Sequence, residues 1–209
     1  MNINSLLIDS MLRLLLGSKS PRRRELLAGL NLDFTPVDIE TEEDYPSHLV
    51  GKDIPLYLAR AKARAYSDQL QDGDVLITSD TIVWSKNQVL GKPVDYAQAV
   101  EMLQMLSGST HEVYTGVCIT RARLNENTGQ LELDETHAFV DATKVIFRAL
   151  EMSEIDYYIR HYTPYDKAGA YGVQEWIGYV GVERIEGSFY NVMGFPIERV
   201  YLALKQIGF

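Results

Sequence analysis

The stretch DVLITSDTIVW, residues 74–84, predicts a β-strand around which the other elements can be arranged. It is rich in β-branched residues, which favour the pleated, half-buried surface of a sheet. The turn SKNQ separates it from VLGKP, so we expect a hairpin at this point. Residues 111–124 and 131–150 read as two long strands across the turn NENTG. Strands joined by hairpins run antiparallel, so the sheet is not purely parallel.

Helices are predicted before and after this strand region. The apolar run at residues 12–16 reads as a short buried strand that ends at Gly17, and Ser20 and Pro21 are residue types typical of a helix start. The other predicted elements are a strand at 34–39 and helices at 54–70, 96–106, 153–162 and 197–207, with Asp95 and Ser153 as N-caps of the second and third helices. This mixture predicts an α/β fold with a mixed sheet and flanking helices.

Length, composition and charge exclude several classes of protein. The 209 residues contain no linker rich in Gly, Ser or Pro, so we expect one domain over residues 1–209. The formal net charge of −9 argues against nucleic-acid and membrane-surface binding, but it allows a small anion held by a local basic cluster. The N-terminal residues 1–17 lack the basic region of a signal peptide and an apolar run of membrane-spanning length. A single cysteine, Cys118, suits the reducing cytoplasm, and its apolar surroundings favour a buried strand position over a catalytic thiol.

The segment LGSKSPRRRELLAGL, residues 16–30, places Arg22, Arg23 and Arg24 at the start of a predicted helix. Basic side chains there face the positive end of the helix dipole, which is unfavourable without a compensating partner. Free N–H groups at the helix start, together with Lys19 and the arginines, would suit a polyphosphate. A solvated basic surface is the alternative, and this segment alone does not decide between the two.

Asp80 is the strongest candidate for a catalytic or metal-binding carboxylate. It interrupts an apolar run, where a lone carboxylate is unfavourable unless it is paired or binds a metal. Such a group suits Mg²⁺ or Mn²⁺, or it can act as a base for water, while a turn or capping aspartate is the structural alternative. Glu40 is a candidate second metal ligand in the acidic run IETEED, and Lys62 and Lys92 are candidate phosphate contacts. Gln174 follows the glycines of YDKAGAYGVQ, and its amide offers a donor and an acceptor to a nucleobase.

Several common catalytic motifs are absent from the sequence. It contains no G-x-x-x-x-G-K-[ST], no G-x-G-x-x-G and no G-x-S-x-G, which argues against P-loop enzymes, dinucleotide-binding enzymes and serine hydrolases. The four histidines, at positions 48, 111, 137 and 161, lack the spacing of zinc ligands relative to one another and to Cys118.

Five short motifs occur in an order that resembles the Maf family of nucleoside triphosphate pyrophosphatases. They are S-x-S-P-R-R at 18–23, S-D-T at 79–81, G-K-P at 91–93, D-K-A-G-A-Y-G-V-Q at 166–174 and G-S-F-Y-N-V-M-G-F-P at 187–196. Each motif is weak alone, but the ordered set covers nearly the whole chain. The resemblance implies an elongated mixed-sheet fold of the Maf and inosine-triphosphatase type, with a cleft between two lobes.

The resemblance also implies a reaction and roles for individual residues. The reaction is hydrolysis of a nucleoside triphosphate to the monophosphate and pyrophosphate with a divalent cation (Mg²⁺, Mn²⁺ or Co²⁺). Asp80 would accept a proton from water and contact the metal, with Glu40 as a second metal ligand. The residues at the family's substrate-binding positions are Ser18, Arg23, Lys62 and Lys92.

Arg22, Thr81 and Gln174 fall at positions that the resemblance associates with substrate choice. Their combination looks like the branch that acts on dTTP and UTP rather than the branch for 7-methylguanosine triphosphate. The Gln174 amide matches the 4-carbonyl and N3–H that thymine and uracil share. A homodimer is the assembly that family analogy suggests. Two alternatives stay open: a pyrophosphatase for other modified nucleotides, and a regulatory protein of septum formation that needs no catalysis.

Overall fold

The computed structural model describes residues 12–209, and strands and helices alternate through this part of the chain. The strands are β1 Arg13–Gly17, β2 Thr35–Val37, β3 Asp74–Ser85, β4 Gln88–Leu90, β5 Thr110–Leu124, β6 Leu131–Phe147 and β7 Val182–Glu186. The helices are α1 Pro21–Ala28, α2 Asp53–Ala65, α3 Tyr96–Leu106, α4 Met152–Tyr162, α5 Trp176–Gly181, α6 Phe189–Val192 and α7 Ile197–Gln206. The predictions about a signal peptide and a membrane anchor rest largely on residues 1–11, which lie outside the described residues. None of the helices in residues 12–209 is long and apolar enough to cross a membrane.

The strands of the described chain form one seven-stranded mixed sheet. Six strands follow the order β2-β1-β3-β5-β6-β7. The seventh, β4, stands outside this linear order and pairs with β3. Strand β1 runs parallel to β2 and β3, whereas β3 pairs antiparallel with β4 and β5. The two long strands β5 and β6 pair with each other within the chain. The predicted α/β class with a mixed sheet and flanking helices is therefore confirmed.

Helices cover both faces of the sheet because side chains alternate along β3. Ile82 packs with Ile54 and Leu58 of α2 on one face. Ile77 packs on the other face in a cluster with residues of α1 and α7, and Val83 packs there with α3 and α4. A strand with apolar residues on both faces belongs in the middle of the sheet, as the continuous apolar character of residues 74–84 indicates.

One edge of β3 is left open for a few residues. Strand β1 ends at Gly17, which lies opposite Thr78, and the β4 pairing begins only where Leu90 lies opposite Val83. Within residues 12–209, residues 79–82 therefore have no strand neighbour on this edge, while β5 covers the other edge. The backbone alternation of these residues directs Asp80 towards the face covered by α2 and Thr81 towards the opposite face.

Helix α2 lies close against the sheet at Gly116 of β5. Gly116 is the β5 residue opposite Asp80, and a Cβ atom there would overlap the backbone of Pro55 and Leu56. The missing side chain lets the first turn of α2 contact the strand. This close approach brings Lys62, two turns farther along α2, to Asp80.

Some predicted boundaries were wrong. Helix α4 has Glu151 as its N-cap, and the Glu154 carboxylate accepts a hydrogen bond of 2.8 Å from the Glu151 backbone N–H, so Ser153 is not the cap. Arg148 binds the same carboxylate at 2.6 Å, a contact from outside the helix that favours the earlier start. Strand β6 ends at Phe147 rather than at residue 150, because the Arg148 N–H turns to the Gly181 carbonyl. Helix α2 ends at Ala65, and a separate 3₁₀ turn follows it.

Cys118 is a buried residue of β5, as predicted. It is 1% exposed, and burial raises the pKa of its thiol to about 11. The side chain is therefore a neutral thiol at physiological pH rather than a nucleophilic thiolate.

The close approach of α2 to β5 predicts that Gly116→Ala lowers the free energy of unfolding by about 1–3 kcal/mol, because the added methyl group pushes the helix away from the strand. Equilibrium unfolding in urea measures this change. Gly91→Ala is the matched control, because a Cβ atom there meets nothing within 4 Å. The control should shift the unfolding free energy by less than about 0.5 kcal/mol. Equal stability of Gly116→Ala and the wild type would contradict the packing described.

His111 of β5 predicts a pH dependence of stability. Its ring is buried against Phe147 and Tyr171, and burial lowers its pKa from 6.5 to about 4. The unfolded chain therefore binds a proton before the folded one as the pH falls, so the unfolding free energy should decrease between pH 6.5 and pH 4, by about 3 kcal/mol in total. Urea unfolding at several pH values should show this decrease in the wild type and a smaller one in His111→Gln. Parallel pH curves for the two proteins would exclude His111 as the source.

Candidate functional site

A cleft of about 930 Å³ opens at the uncovered edge of β3. Its walls include the segment from Gly17 into α1, the acidic loop after β2, parts of α2 and β3, β4 with the loop after it, and the segments at residues 166–174 and 192–194. Every residue predicted as part of the site lines this cleft: Ser18, Arg22, Arg23, Glu40, Lys62, Asp80, Thr81, Lys92 and Gln174. The fold thus brings together residues that lie up to 156 positions apart in sequence.

Asp80 and Lys62 form an ion pair on the α2 side of the cleft. Lys62 Nζ lies 2.5 Å from Asp80 Oδ1, and the two side chains are only 15% and 10% exposed. A buried carboxylate is unfavourable without a partner, and the Lys62 ammonium group supplies one. Of its two oxygens, Oδ1 is the one that bonds to a described residue, which leaves Oδ2 available to a ligand or to water.

Arg23 is the centre of a hydrogen-bond network on the opposite side of β3. Its guanidinium donates to the carbonyls of Ser79 and Gly194 at 2.8 and 2.9 Å. It also donates to the hydroxyls of Thr81 and Ser18 at 2.9 and 3.4 Å. Burial lowers the pKa of Arg23, an effect that the nearby Asp80 partly opposes. Arg23 therefore joins α1 to β3 and to the end of α6 before any ligand is bound.

Thr81 belongs to the same network. Its hydroxyl lies 2.9 Å from the Thr115 hydroxyl and 3.2 Å from the Gly194 carbonyl, in addition to its bond from Arg23. Asn191 of α6 is fully buried and donates to the Val113 carbonyl at 3.1 Å. These bonds hold the segment that carries Gly194 against the sheet.

Arg22 and Arg24 have different hydrogen-bond partners from Arg23. Arg22 lies on the cleft wall, where its Nη1 is 2.9 Å from Asp166 Oδ2. Burial opposes ionisation of Asp166, but hydrogen bonds from Lys167 and Arg22 outweigh this effect and lower its pKa. Arg24 donates to the Ser18 carbonyl at 3.2 Å. Each of the three arginines has a partner from outside the helix, and these partners offset the unfavourable dipole.

Glu40 and Lys92 lie at the exposed rim of the cleft. The Glu40 side chain is 91% exposed and 3.6 Å from Lys19, and Lys92 is 3.4 Å from Glu43. Within residues 12–209, no group of three or more His, Cys, Asp or Glu side chains is arranged to hold a metal. A cation in this cleft would rely on one or two carboxylates and on oxygens of a bound phosphate, a donor set that Mg²⁺ commonly accepts.

Gln174 also lines the cleft. Its Oε1 is buried and makes no hydrogen bond with the described residues. A buried carbonyl without a donor is unfavourable by about 1–3 kcal/mol, so this atom is suited to a ligand that supplies one.

Sequence reasoning missed several residues that support the site. Thr115, Asn191, Gly194 and Lys167 hold the predicted side chains in place, yet none of them was named as a candidate. Three of them lie in or beside the motifs at 166–174 and 187–196, which was the available signal. Thr115 lies in β5 and had no comparable signal.

A family model described as Maf-like protein matches residues 13–207. The chain belongs to the Maf family. The resemblance inferred from the five motifs is confirmed, and the match covers nearly all of the described residues. The matched range includes all seven strands of the sheet and all residues that line the cleft. The Maf family assignment therefore covers the whole cleft and does not depend on one motif.

Two relatives with nearly half of their residues identical to this Maf chain are both named dTTP/UTP pyrophosphatase. The chain is 47% identical over 196 residues to the dTTP/UTP pyrophosphatase of Bacteroides fragilis, covering 93% of this chain and 96% of that protein. It is 49% identical over 199 residues to the dTTP/UTP pyrophosphatase of Porphyromonas gingivalis, covering 94% of each. The solved structure of a nucleoside-triphosphatase (dITP/XTP pyrophosphatase) from Mycobacterium abscessus covers 93% of this chain and 94% of its own. Its TM-score of 0.40 and its 13% identity are too low to establish a shared fold.

The network around Arg23 predicts that Arg23→Lys lowers the free energy of unfolding by about 2 kcal/mol, since a lysine leaves buried carbonyls without donors. Thermal and urea unfolding measure this loss. Arg24→Lys makes the same chemical change one residue along. Among the described residues, the Arg24 side chain donates to the Ser18 carbonyl and lies 3.8 Å from Asp38. We expect it to alter stability by less than about 0.5 kcal/mol. Equal decreases of the unfolding free energy in the two variants would show that Arg23 contributes no more to stability than Arg24.

Proposed function

We propose that this Maf protein hydrolyses dTTP and UTP to the nucleoside monophosphate and pyrophosphate. The observation that carries the proposal is the buried Asp80–Lys62 pair, whose free carboxylate oxygen lies in a cleft that cationic side chains also line. The curated relatives with 45–49% identity are named dTTP/UTP pyrophosphatases, which supports the same substrates here. The buried Gln174 carbonyl in the same cleft adds a feature suited to a nucleobase.

Asp80 is the proton acceptor of the proposed reaction. Its Oδ2 takes a proton from a water molecule as the water oxygen bonds to the α-phosphorus. The bond between the α-phosphorus and its bridging oxygen to the β-phosphate breaks, and pyrophosphate leaves with the electron pair. Lys62 holds the Asp80 carboxylate in place through Oδ1, which lies 2.5 Å from its Nζ, and so leaves Oδ2 to face the water molecule.

The basic side chains of the cleft neutralise the triphosphate. Arg22 and Lys92 line it and are paired with Asp166 and Glu43, which are themselves half-exposed. A triphosphate can replace these carboxylates as the partner of each cation, so the cationic wall is already in place before binding. Arg23 stabilises the wall by orienting the backbone at Ser79 and Gly194.

A divalent cation fits this donor set. Asp80 and Glu40 both line the cleft and would hold Mg²⁺, Mn²⁺ or Co²⁺ together with phosphate oxygens. When bound, the cation supplies positive charge to the phosphate oxygens. Glu40 is free to turn inward because its side chain is almost fully exposed and its partner Lys19 is 3.6 Å away.

The Gln174 amide provides the proposed base recognition. Its buried Oε1 lacks a donor, and the N3–H of uracil or thymine supplies one. The amide nitrogen of the same group can donate to the 4-carbonyl. Cytosine presents an acceptor at N3 and a donor at position 4, so it would leave both halves of the amide mismatched.

The cytoplasm is the proposed location, supported by a single buried cysteine whose thiol is not paired in a disulfide. A homodimer and a single domain over residues 1–209 remain proposals from family analogy and from the lack of a linker. A pyrophosphatase for other modified nucleotides and a catalysis-independent role in septum formation are the alternative functions.

Asp80→Asn should reduce pyrophosphate release from dTTP by about 10²–10⁴-fold and leave the fold intact, because the amide cannot take the proton from water. The measurement is pyrophosphate and dTMP formation with Mg²⁺, Mn²⁺ or Co²⁺ across a panel of nucleoside triphosphates. Asp134→Asn is the matched control, since Asp134 is a half-exposed residue of β6 that pairs with Arg123.

Three results would contradict the proposal or parts of it. Full activity of Asp80→Asn would remove Asp80 from the catalytic role. Release of inorganic phosphate in place of pyrophosphate would change the reaction class. A preference of the wild type for 7-methylguanosine triphosphate, or no turnover of any nucleotide in the panel, would favour the alternative substrates or the binding role.

A further inference from the structure

The Tyr158 side chain joins both ends of the short turn that carries Gln174. Tyr158 belongs to α4 and is fully buried. Its hydroxyl accepts a hydrogen bond of 2.9 Å from the Gly172 N–H and donates one to Glu175 Oε2. Burial, reinforced by the Glu175 carboxylate, raises the pKa of Tyr158, so the hydroxyl keeps the proton that it donates.

The backbone of this turn is compact and depends on a glycine. The Glu175 N–H bonds to the Gly172 carbonyl at 3.0 Å, which closes a turn over Val173 and Gln174. A Cβ atom at Gly172 would lie 2.8 Å from Glu175 Cδ, so the absence of a side chain makes room for the carboxylate beside the tyrosine. The Gln174 side chain itself contributes no hydrogen bond through Oε1 to the described residues. The turn therefore fixes the position from which the Gln174 side chain leaves the backbone.

Ion pairs extend from Glu175 to the cationic wall of the cleft. Lys167 is 8% exposed, and its Nζ lies 3.1 Å from Glu175 Oε1 and 2.7 Å from Asp166 Oδ1. Asp166 in turn accepts from Arg22 at 2.9 Å. The charges alternate in sign along this row, so each group is compensated by its neighbours and each fixes the next.

Tyr158 and Glu175 are absent from the residues that line the cleft, whereas Gly172, Gln174, Lys167 and Arg22 are among them. A bound nucleotide would therefore touch the turn and the cationic wall but not the hydroxyl and the carboxylate behind them. The two side chains can affect substrate choice only through the geometry they impose on Gln174.

We propose that Tyr158 and Glu175 are positioning residues that set the selectivity for 4-oxo pyrimidines by fixing the turn that presents Gln174. Lys167 connects this turn to Asp166, the carboxylate that pairs with Arg22 on the cleft wall in the free protein. The inference rests on the proposed hydrolysis of dTTP and UTP. It goes beyond that proposal by assigning specificity to residues outside the cleft.

The test compares Tyr158→Phe with Tyr162→Phe. Both variants remove one hydroxyl from α4, and the two rings are stacked with centroids 5.2 Å apart. Within residues 12–209, the turn's hydrogen bonds to a tyrosine hydroxyl are those of Tyr158. In each protein we would measure kcat and KM for dTTP and for dCTP. We expect kcat/KM for dTTP to fall about tenfold in Tyr158→Phe, mainly through KM, with dCTP almost unchanged, and we expect Tyr162→Phe to keep the wild-type ratio.

A second variant and a second measurement cover a loss of stability in Tyr158→Phe. Glu175→Gln keeps an acceptor for the Tyr158 hydroxyl but removes the charge that faces Lys167, so its dTTP to dCTP ratio should fall by a smaller factor. Amide hydrogen exchange in the free protein should quicken at residues 172–175 in Tyr158→Phe and stay at the wild-type rate in Tyr162→Phe.

The outcomes separate this inference from the proposed function. If the wild type hydrolyses dTTP and both Tyr158→Phe and Glu175→Gln retain its preference over dCTP, the positioning role is wrong and the proposed function stands. The positioning role is equally wrong if Tyr158→Phe lowers only the melting temperature or slows dTTP and dCTP hydrolysis by the same factor. A wild type that does not distinguish dTTP from dCTP overturns the selectivity itself, which is measured without any variant.

Discussion

The unpaired edge of β3 at residues 79–82 is the constraint on which the rest of the structure depends. Backbone carbonyls at an open strand edge need hydrogen-bond donors. Another strand would provide them, but it would occupy the space of the cleft. Arg23 provides the donor for the Ser79 carbonyl and ties the same stretch to Gly194. One guanidinium thus donates to the Ser79 carbonyl and to Gly194 at the same time, which a lysine ammonium with a single nitrogen is less suited to do.

This requirement explains the run of three arginines at the start of α1. The helix dipole disfavours them, and the compensation comes from three separate sources outside the helix. Arg22 meets the Asp166 carboxylate, Arg23 meets backbone carbonyls of β3 and of the segment after α6, and Arg24 meets the Ser18 carbonyl. Three adjacent arginines therefore have three different surroundings: Arg22 lies on the cleft wall, Arg23 points into the protein, and Arg24 lies at the surface. The basic cluster is part of how the cleft is built as well as a surface for anions.

Ion pairs arranged before binding are the second feature of the cleft. Asp80 is held by Lys62, Arg22 by Asp166, and Lys92 by Glu43. The first pair is buried and the last is exposed, so the first fixes a charge while the last is free to exchange its partner. A triphosphate entering such a cleft would meet cations that are already oriented, and little reorganisation would accompany its binding.

The sequence by itself determined the element types, the mixed sheet and the family. Apolar runs with β-branched residues identified β3, β5 and β6 because burial on a sheet selects such residues. The ordered motifs contained Asp80, Lys92 and Gln174, and the family resemblance added Lys62. Only the tertiary structure decided that Arg23 points inward, that Glu151 rather than Ser153 caps α4, and that Tyr158 supports the turn at Gln174. The physical reason is distance along the chain. The partners of Arg23 lie up to 171 residues away, and a local pattern carries no information about a donor and acceptor that meet only after the sheet has formed.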